Sequence, residues 1–292
     1  MRLLAGLFLL AATALHAQNG KIVESAAIPS KVPNVEIRKI SYLSDDLTIA
    51  GYMAVPAGEG KVPCVIANRG GNAKLSLWDD ERAARLGKIA SWGYVVVASQ
   101  YRGIGQDQYG GADVNDVLNL IPLLEAEPRC DATRIGMIGW SRGAMMTYLT
   151  LTKTDRIAAA IAVSGVADLA GLLKTRPEME RVFEATIPEY AKTQDAALAA
   201  RSAVTFAGKL HKKTPILLLH GTADWRTPPA NDALPMAAAL LAAKHPFRLV
   251  LFEGGAHGLA EHREETDRIT RDWLDRYLRD RKEWPSLEPH GD

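Results

Sequence analysis

The chain is poor in cysteine. Two in 292 residues, Cys64 and Cys130, rule out a thiolate-only metal cage, which needs four. Charge of either sign is not in excess: 35 Lys and Arg against 34 Asp and Glu give a net charge of +1. Aromatics are 7% of the residues, and no basic stripe interleaves with them, so a nucleic-acid partner is not expected. Long apolar runs are missing beyond the first twenty residues, and with them any later membrane span. Internal repeats and low-complexity segments are absent as well.

What is present begins with MRLLAGLFLLAATALHAQNG. A basic residue, Arg2, precedes an apolar run from Leu3 to Leu15, and small residues follow. That is the pattern of a secretory signal peptide, expected over residues 1–17 with cleavage after Ala14 or Ala17. The run is about a dozen residues, short of the roughly 20 a spanning helix needs, so no stable membrane span is expected after cleavage. An exported protein, periplasmic or secreted, follows as the expectation. Export permits a disulfide between Cys64 and Cys130, whereas two buried free thiols fit the sequence equally well.

Past residue 34 the apolar pattern changes period twice. VEIRKISYL (35–43) and LTIAGYMAV (47–55), joined by an Asp-containing turn, read as an antiparallel hairpin. Continuous apolar strands then alternate with helical stretches. Strands are expected at 62–68, 94–99, 134–139, 157–165, 215–221 and 247–254, and helices at 79–92, 113–127, 142–153, 235–243 and 261–280. Such alternation indicates an α/β fold, a mostly parallel sheet of about eight strands with helices on both faces. Residues 168–205 hold helical pieces and no strand. They are expected to be a small helical insertion in a domain spanning 21–284.

In an open α/β sheet, ligands meet the carboxyl ends of the strands. Three chemically useful residues fall there. Ser141 follows the strand at 134–139 in GWSRG, Asp224 follows 215–221 in HGTADWRTPP, and His257 follows 247–254 in EGGAHGL. A serine hydroxyl must lose its proton during attack, a neutral imidazole can take it, and a carboxylate holds that imidazole in the useful tautomer. A serine on a sharp strand-to-helix turn needs small residues two before and two after, the places of Gly139 and Gly143. The helix starting at Arg142 aims its first N–H groups at a developing oxyanion. A second donor is expected from the backbone at Arg69–Gly70, in NRGGN after the strand at 62–68. His220 is expected to make a structural hydrogen bond, and Asp168 is a reserve acid. No metal or organic cofactor is needed for this chemistry.

The segments GWSRGAMM, QYRGIGQDQYGGADVNDV, RSAVTFAGKLHKKTPILLLHGTADWRTPP and GGAHGL resemble the α/β-hydrolases, and among them the catalytic domain of the prolyl oligopeptidase group of serine peptidases. The resemblance covers roughly residues 35–280. It implies an α/β-hydrolase fold with Ser141 as nucleophile, Asp224 as acid and His257 as base. It implies an acyl-enzyme mechanism on short peptides or acylated amino acids, with a carboxylic ester as the second substrate class and a non-catalytic binding module as the third reading. That group often carries Tyr or His where Arg69 stands. The Arg69 side chain is accordingly a candidate to bind a substrate carboxylate or acyl oxygen, or to pair with a surface acid. Arg102, in QYRG, either orders its loop or lines the pocket. Larger members carry a propeller domain that filters substrates by size; none is expected within these 292 residues, so filtering is expected of residues 168–205.

Overall fold

A computed structural model of the chain describes residues 18–103 and 106–291; the expected signal peptide at 1–17 lies outside them. Among the described residues nine strands form one sheet in the order β1-β2-β3-β5-β4-β6-β7-β8-β9. They are β1 (Ile22–Ile28), β2 (Val35–Ser44), β3 (Leu47–Pro56), β4 (Val62–Asn68), β5 (Val95–Ser99), β6 (Cys130–Trp140), β7 (Ile157–Val163), β8 (Ile216–Gly221) and β9 (Phe247–Phe252). The first three run antiparallel to their neighbours, and the remaining six are mutually parallel.

The sheet has one strand more than the eight expected. The extra one, β1, reads IVESAAI and is exposed along most of its length. It pairs with β2 at the sheet edge with only Ile22 and Ile28, at its ends, partly buried, so its apolar residues follow neither the alternating nor the continuous pattern of a buried strand.

Apolar residues line both faces of the central strands. On β4, Cys64 and Ile66 enter one core while Val65 and Ala67 enter the other; Val95 and Val97 of β5 oppose Val96 and Ala98 in the same way. One face is covered by α1 (Ala83–Ala90) and a C-terminal helix, Arg263–Leu274. The other is covered by α2 (Val114–Leu118), α3 (Leu120–Ala126), α4 (Arg142–Leu151) and helices further along the chain. The single helix expected over 113–127 is therefore two, parting at Asn119. Pro122 falls in the first turn of α3, where its missing N–H has no intrahelical acceptor to lose. Every residue of α4 is buried.

Cys64, near the start of β4, and Cys130, the first residue of β6, are joined in a disulfide with their Cα atoms 5.8 Å apart. The two strands are parallel neighbours, so the bond ties them at their amino ends. Residues 168–205 hold four short helices, α5 (Leu169–Thr175), α6 (Met179–Thr186), α7 (Tyr190–Ala199) and α8 (Ala203–Phe206), and no strand.

Candidate active site

The strand order reverses at β4. The chain passes from β4 to β5 on one side, then returns to place β6 on the other. The crevice at such a reversal opens at the carboxyl ends of β4 and β6. Those ends are in register, Asn68 opposite Gly139, so the loop at Arg69–Gly70 faces the turn at Ser141.

Ser141 has φ 56° and ψ −122°, a strained backbone for a residue with a side chain. The strain is held by packing. A Cβ at Gly139 would overlap the Gly143 carbonyl, and one at Gly143 would overlap the Asn68 carbonyl. Two glycines thus let β4, β6 and α4 converge closely enough to present the hydroxyl. The Ser141 N–H donates to Val163 O at 2.9 Å, tying the turn to β7.

His257 and Asp224 meet as a pair: Nδ1 of the imidazole lies 2.8 Å from Oδ2 of the carboxylate. Asp224 is buried and fully hydrogen-bonded. Its Oδ1 accepts from the N–H groups of Arg226 (2.9 Å) and Thr227 (3.1 Å), and its Oδ2 also accepts from the Thr227 hydroxyl (2.8 Å). His220 Nε2 donates to the Thr227 carbonyl and stands 3.4 Å from the same Oδ2. Burial alone would raise the Asp224 carboxyl; hydrogen bonds from His220 and His257, and the charge on His257, outweigh it and hold the group well below the usual carboxylate range. Asp224 therefore stays ionised and keeps the imidazole oriented. Asp168 makes no hydrogen bond to His257.

Ser141 and His257 border one cleft of about 270 Å³. Among the described residues the Ser141 hydroxyl has no hydrogen-bond partner, so it is free to be engaged from the cleft. Gly70 lies against it: a Cβ there would stand 3.1 Å from Ser141 Cβ and 3.7 Å from its Oγ. The N–H of Arg142 is the first of α4 and has no acceptor within the helix.

The arginine side chains near the cleft have partners within the protein, and for Arg102 they select the loop-ordering role over the pocket-lining one. Arg69 borders the cleft, yet its Nε and Nη2 donate to the Gln100 carbonyl (3.2 and 2.8 Å) and its Nη1 to the Gly70 carbonyl (3.1 Å). The guanidinium lies over the Tyr101 ring, 4.8 Å from its centroid. It fastens the end of β4 to the loop after β5, and among the described residues no surface acid pairs with it. Arg102 does not border the cleft. Asp116 takes its Nε and Nη2 (3.1 and 3.0 Å) and Asp45 takes Nη2 (2.9 Å), which makes it a loop anchor.

Arg142 carries a role that sequence reasoning missed. Its buried guanidinium donates to both oxygens of Asp107 (2.7 and 2.6 Å) and to Asp113 (2.6 Å), and lies 4.5 Å from the Tyr109 ring centroid. Burial pushes the Asp107 carboxyl up, but the hydrogen bonds and charge of Arg142 bring it below its ordinary value. The signal was present in QDQYGGAD, where two acids flank a Gly pair. From the insertion, Leu172, Arg176 and Met179 reach the cleft wall.

The chain matches the prolyl oligopeptidase family over residues 82–281. It is 30% identical to the uncharacterized peptidase YtmA of Bacillus subtilis over 208 residues, 70% of this chain and 79% of that one. In fold it resembles the uncomplexed acylaminoacyl peptidase of Pyrococcus horikoshii, with a TM-score of 0.73 and 24% identity over 88% of this chain but 44% of that one. It also resembles acetyl xylan esterase 1 of Thermoanaerobacterium, with a TM-score of 0.66 and 17% identity over 92% of each chain. The chain spans under half of the acylaminoacyl peptidase and nearly all of the esterase. With the family matched across well over half its length, the chain belongs to the prolyl oligopeptidase family and is a serine hydrolase of that type.

Proposed function

We propose that this protein is an exported serine peptidase that cleaves short peptides or acylated amino acids through an acyl-enzyme. One observation carries the reading: a serine on a strained strand-to-helix turn shares a small cleft with a histidine already bonded to a buried, ionised aspartate. In the proposed reaction Ser141 Oγ attacks the substrate carbonyl carbon and passes its proton to His257 Nε2. The carbonyl oxygen becomes an oxyanion and is met by the N–H of Arg142 and the backbone at Arg69–Gly70. Collapse breaks the C–N bond, and the amine leaves with the proton from His257. Water, deprotonated by the same imidazole, then attacks the acyl carbon; the acyl–Oγ bond breaks, and His257 returns the proton to Ser141 Oγ.

A cleft of about 270 Å³ suits a small acyl group better than a folded chain. A carboxylic ester is the second substrate class, because the same acyl-enzyme chemistry opens an ester bond. Export is supported by the residues from Arg2 to Ala17 and by the Cys64–Cys130 disulfide, a bond that persists in oxidising compartments.

A fluorophosphonate probe should label the protein, and Ser141→Ala should abolish both labelling and turnover. Turnover of 4-nitrophenyl acetate and aminoacyl-nitroanilides by Ser141→Ala at the parental rate would refute the assignment. Ratios of kcat/KM for matched ester and anilide substrates separate the two substrate classes. Intact mass of protein recovered from a bacterial periplasm tests export: the chain should start at Leu15 or Gln18.

A further inference from the structure

Six arginines border the cleft at Ser141, and no Asp, Glu or Lys among the described residues does. Four of the six are already occupied. Asp107 and Asp113 compensate Arg142, Asp79 pairs with Arg82, Glu178 pairs with Arg176 at 2.9 Å, and Arg69 is held on main-chain carbonyls. Arg85 and Arg226 are different. Among the described residues neither guanidinium makes an ion pair or a hydrogen bond. Arg226 rests only over the ring of Trp225, 5.2 Å from its centroid, and Arg176 approaches the same ring at 5.7 Å. Arg85 also borders an adjoining cavity of about 300 Å³, in which Lys88 and Arg263 outnumber a single acid, Asp267.

A cleft of this kind discriminates by charge. A substrate carboxylate finds two guanidinium groups that among the described residues have no ion-pair partner, each able to offer paired N–H donors. A free ammonium near the reacting bond finds only like charge, for Asp224 is shut away behind His257. We infer that the cleft selects substrates with a carboxylate within about one residue of the scissile bond, recognised by Arg226 and Arg85, and disfavours those with a free amine there. An N-acyl amino acid satisfies both conditions, since its amine is capped and its carboxylate sits on the leaving group. The inference rests on the hydrolase reading above.

Two pairs of esters test it. Placing the carboxylate on the leaving group, 4-acetoxybenzoate is compared with its methyl ester. Placing it on the acyl group, mono-4-nitrophenyl glutarate is compared with 4-nitrophenyl butyrate. Each kcat/KM is divided by the rate of hydroxide hydrolysis to remove intrinsic reactivity. Solvent-exposed ion pairs contribute up to about fivefold each, so two together should give an anionic preference of about tenfold. A preference above threefold in either arm supports the inference; threefold or less in both overturns it. Arg226→Gln or Arg85→Gln should reduce that preference by half or more, and 0.5 M NaCl should weaken it in the parent. Because the preference is a ratio within one preparation, loss of folded protein cancels. If neither variant changes it, the assignment to these residues falls. Fluorophosphonate labelling of Ser141 separates the failures: a labelled enzyme without charge preference sinks this inference alone, and an unlabelled one sinks the hydrolase reading.

Discussion

The guanidinium of Arg142 grips both carboxylate oxygens of Asp107, at 2.7 and 2.6 Å, one residue after the serine that lines the cleft. Asp113 completes the cluster, and all three side chains are buried. One arginine therefore joins the first turn of α4 to the loop between β5 and α2. Arg142→Met strands two carboxylates without a counter-charge, and removing one partner of such a buried pair costs about 3–5 kcal/mol. Urea unfolding of Arg142→Met should show a loss of that size. Arg142→Lys should recover little of it, because an ammonium cannot fork across both oxygens.

Asp224→Asn keeps the shape of the acid and removes its charge. The amide would turn its NH₂ toward His257 Nδ1 and favour the tautomer that cannot accept a proton from Ser141. The expected loss in kcat is about 10³- to 10⁴-fold with the fold intact, checked by steady-state kinetics beside circular dichroism.

Asp232 links pH to stability. Its Oδ1 accepts from the N–H groups of Ala167 (2.8 Å) and Asp168 (3.3 Å), while Oδ2 has no partner. Burial lifts the carboxyl to about 7, against the lowering effect of those two N–H donors. The folded state thus prefers the protonated form. Its contribution is whole below the unfolded value of about 4 and is lost as pH rises through about 7. Asp232→Asn should be close to neutral in stability at pH 4 and stabilising at pH 8, by of the order of 2 kcal/mol, measured as unfolding free energy at both values.

Closing a loop of 66 residues, the Cys64–Cys130 bond should contribute about 4 kcal/mol by restricting the unfolded chain. The double variant Cys64→Ser, Cys130→Ser should lose that amount in urea. Below its lowered melting temperature it should retain kcat, because the bond sits at the amino ends of β4 and β6 and Ser141 follows the carboxyl end of β6.

Much of this arrangement could be read from the chain. Buried parallel strands advertise themselves as apolar runs, which located β4 through β9 to within a few residues, and the Gly-flanked serine marked the turn after β6. What escaped the reading lacked an apolar or local cause. β1 is held by main-chain bonds at an edge and only the isoleucines at its two ends are partly buried. The division of 113–127 at Asn119 is a change of direction that periodicity over so few residues does not record. The destinations of Arg69 and Arg142, and the choice between the two readings of Arg102, depend on partners up to 71 residues away along the chain, and a guanidinium's reach is set by the folded surroundings. Sequence placed each arginine near the right loop and could not say which way its side chain turned.

The convergence at Gly139 and Gly143 has a consequence for variation in this protein. With main-chain atoms of neighbouring segments already in contact, even a methyl group would push β4, β6 and α4 apart, so drift at these two positions is closed. Arg85, Arg226 and the outer residues of α5 and α6 stand in solvent and hold nothing together. The rim of the cleft can therefore change its residues without disturbing the turn that carries Ser141.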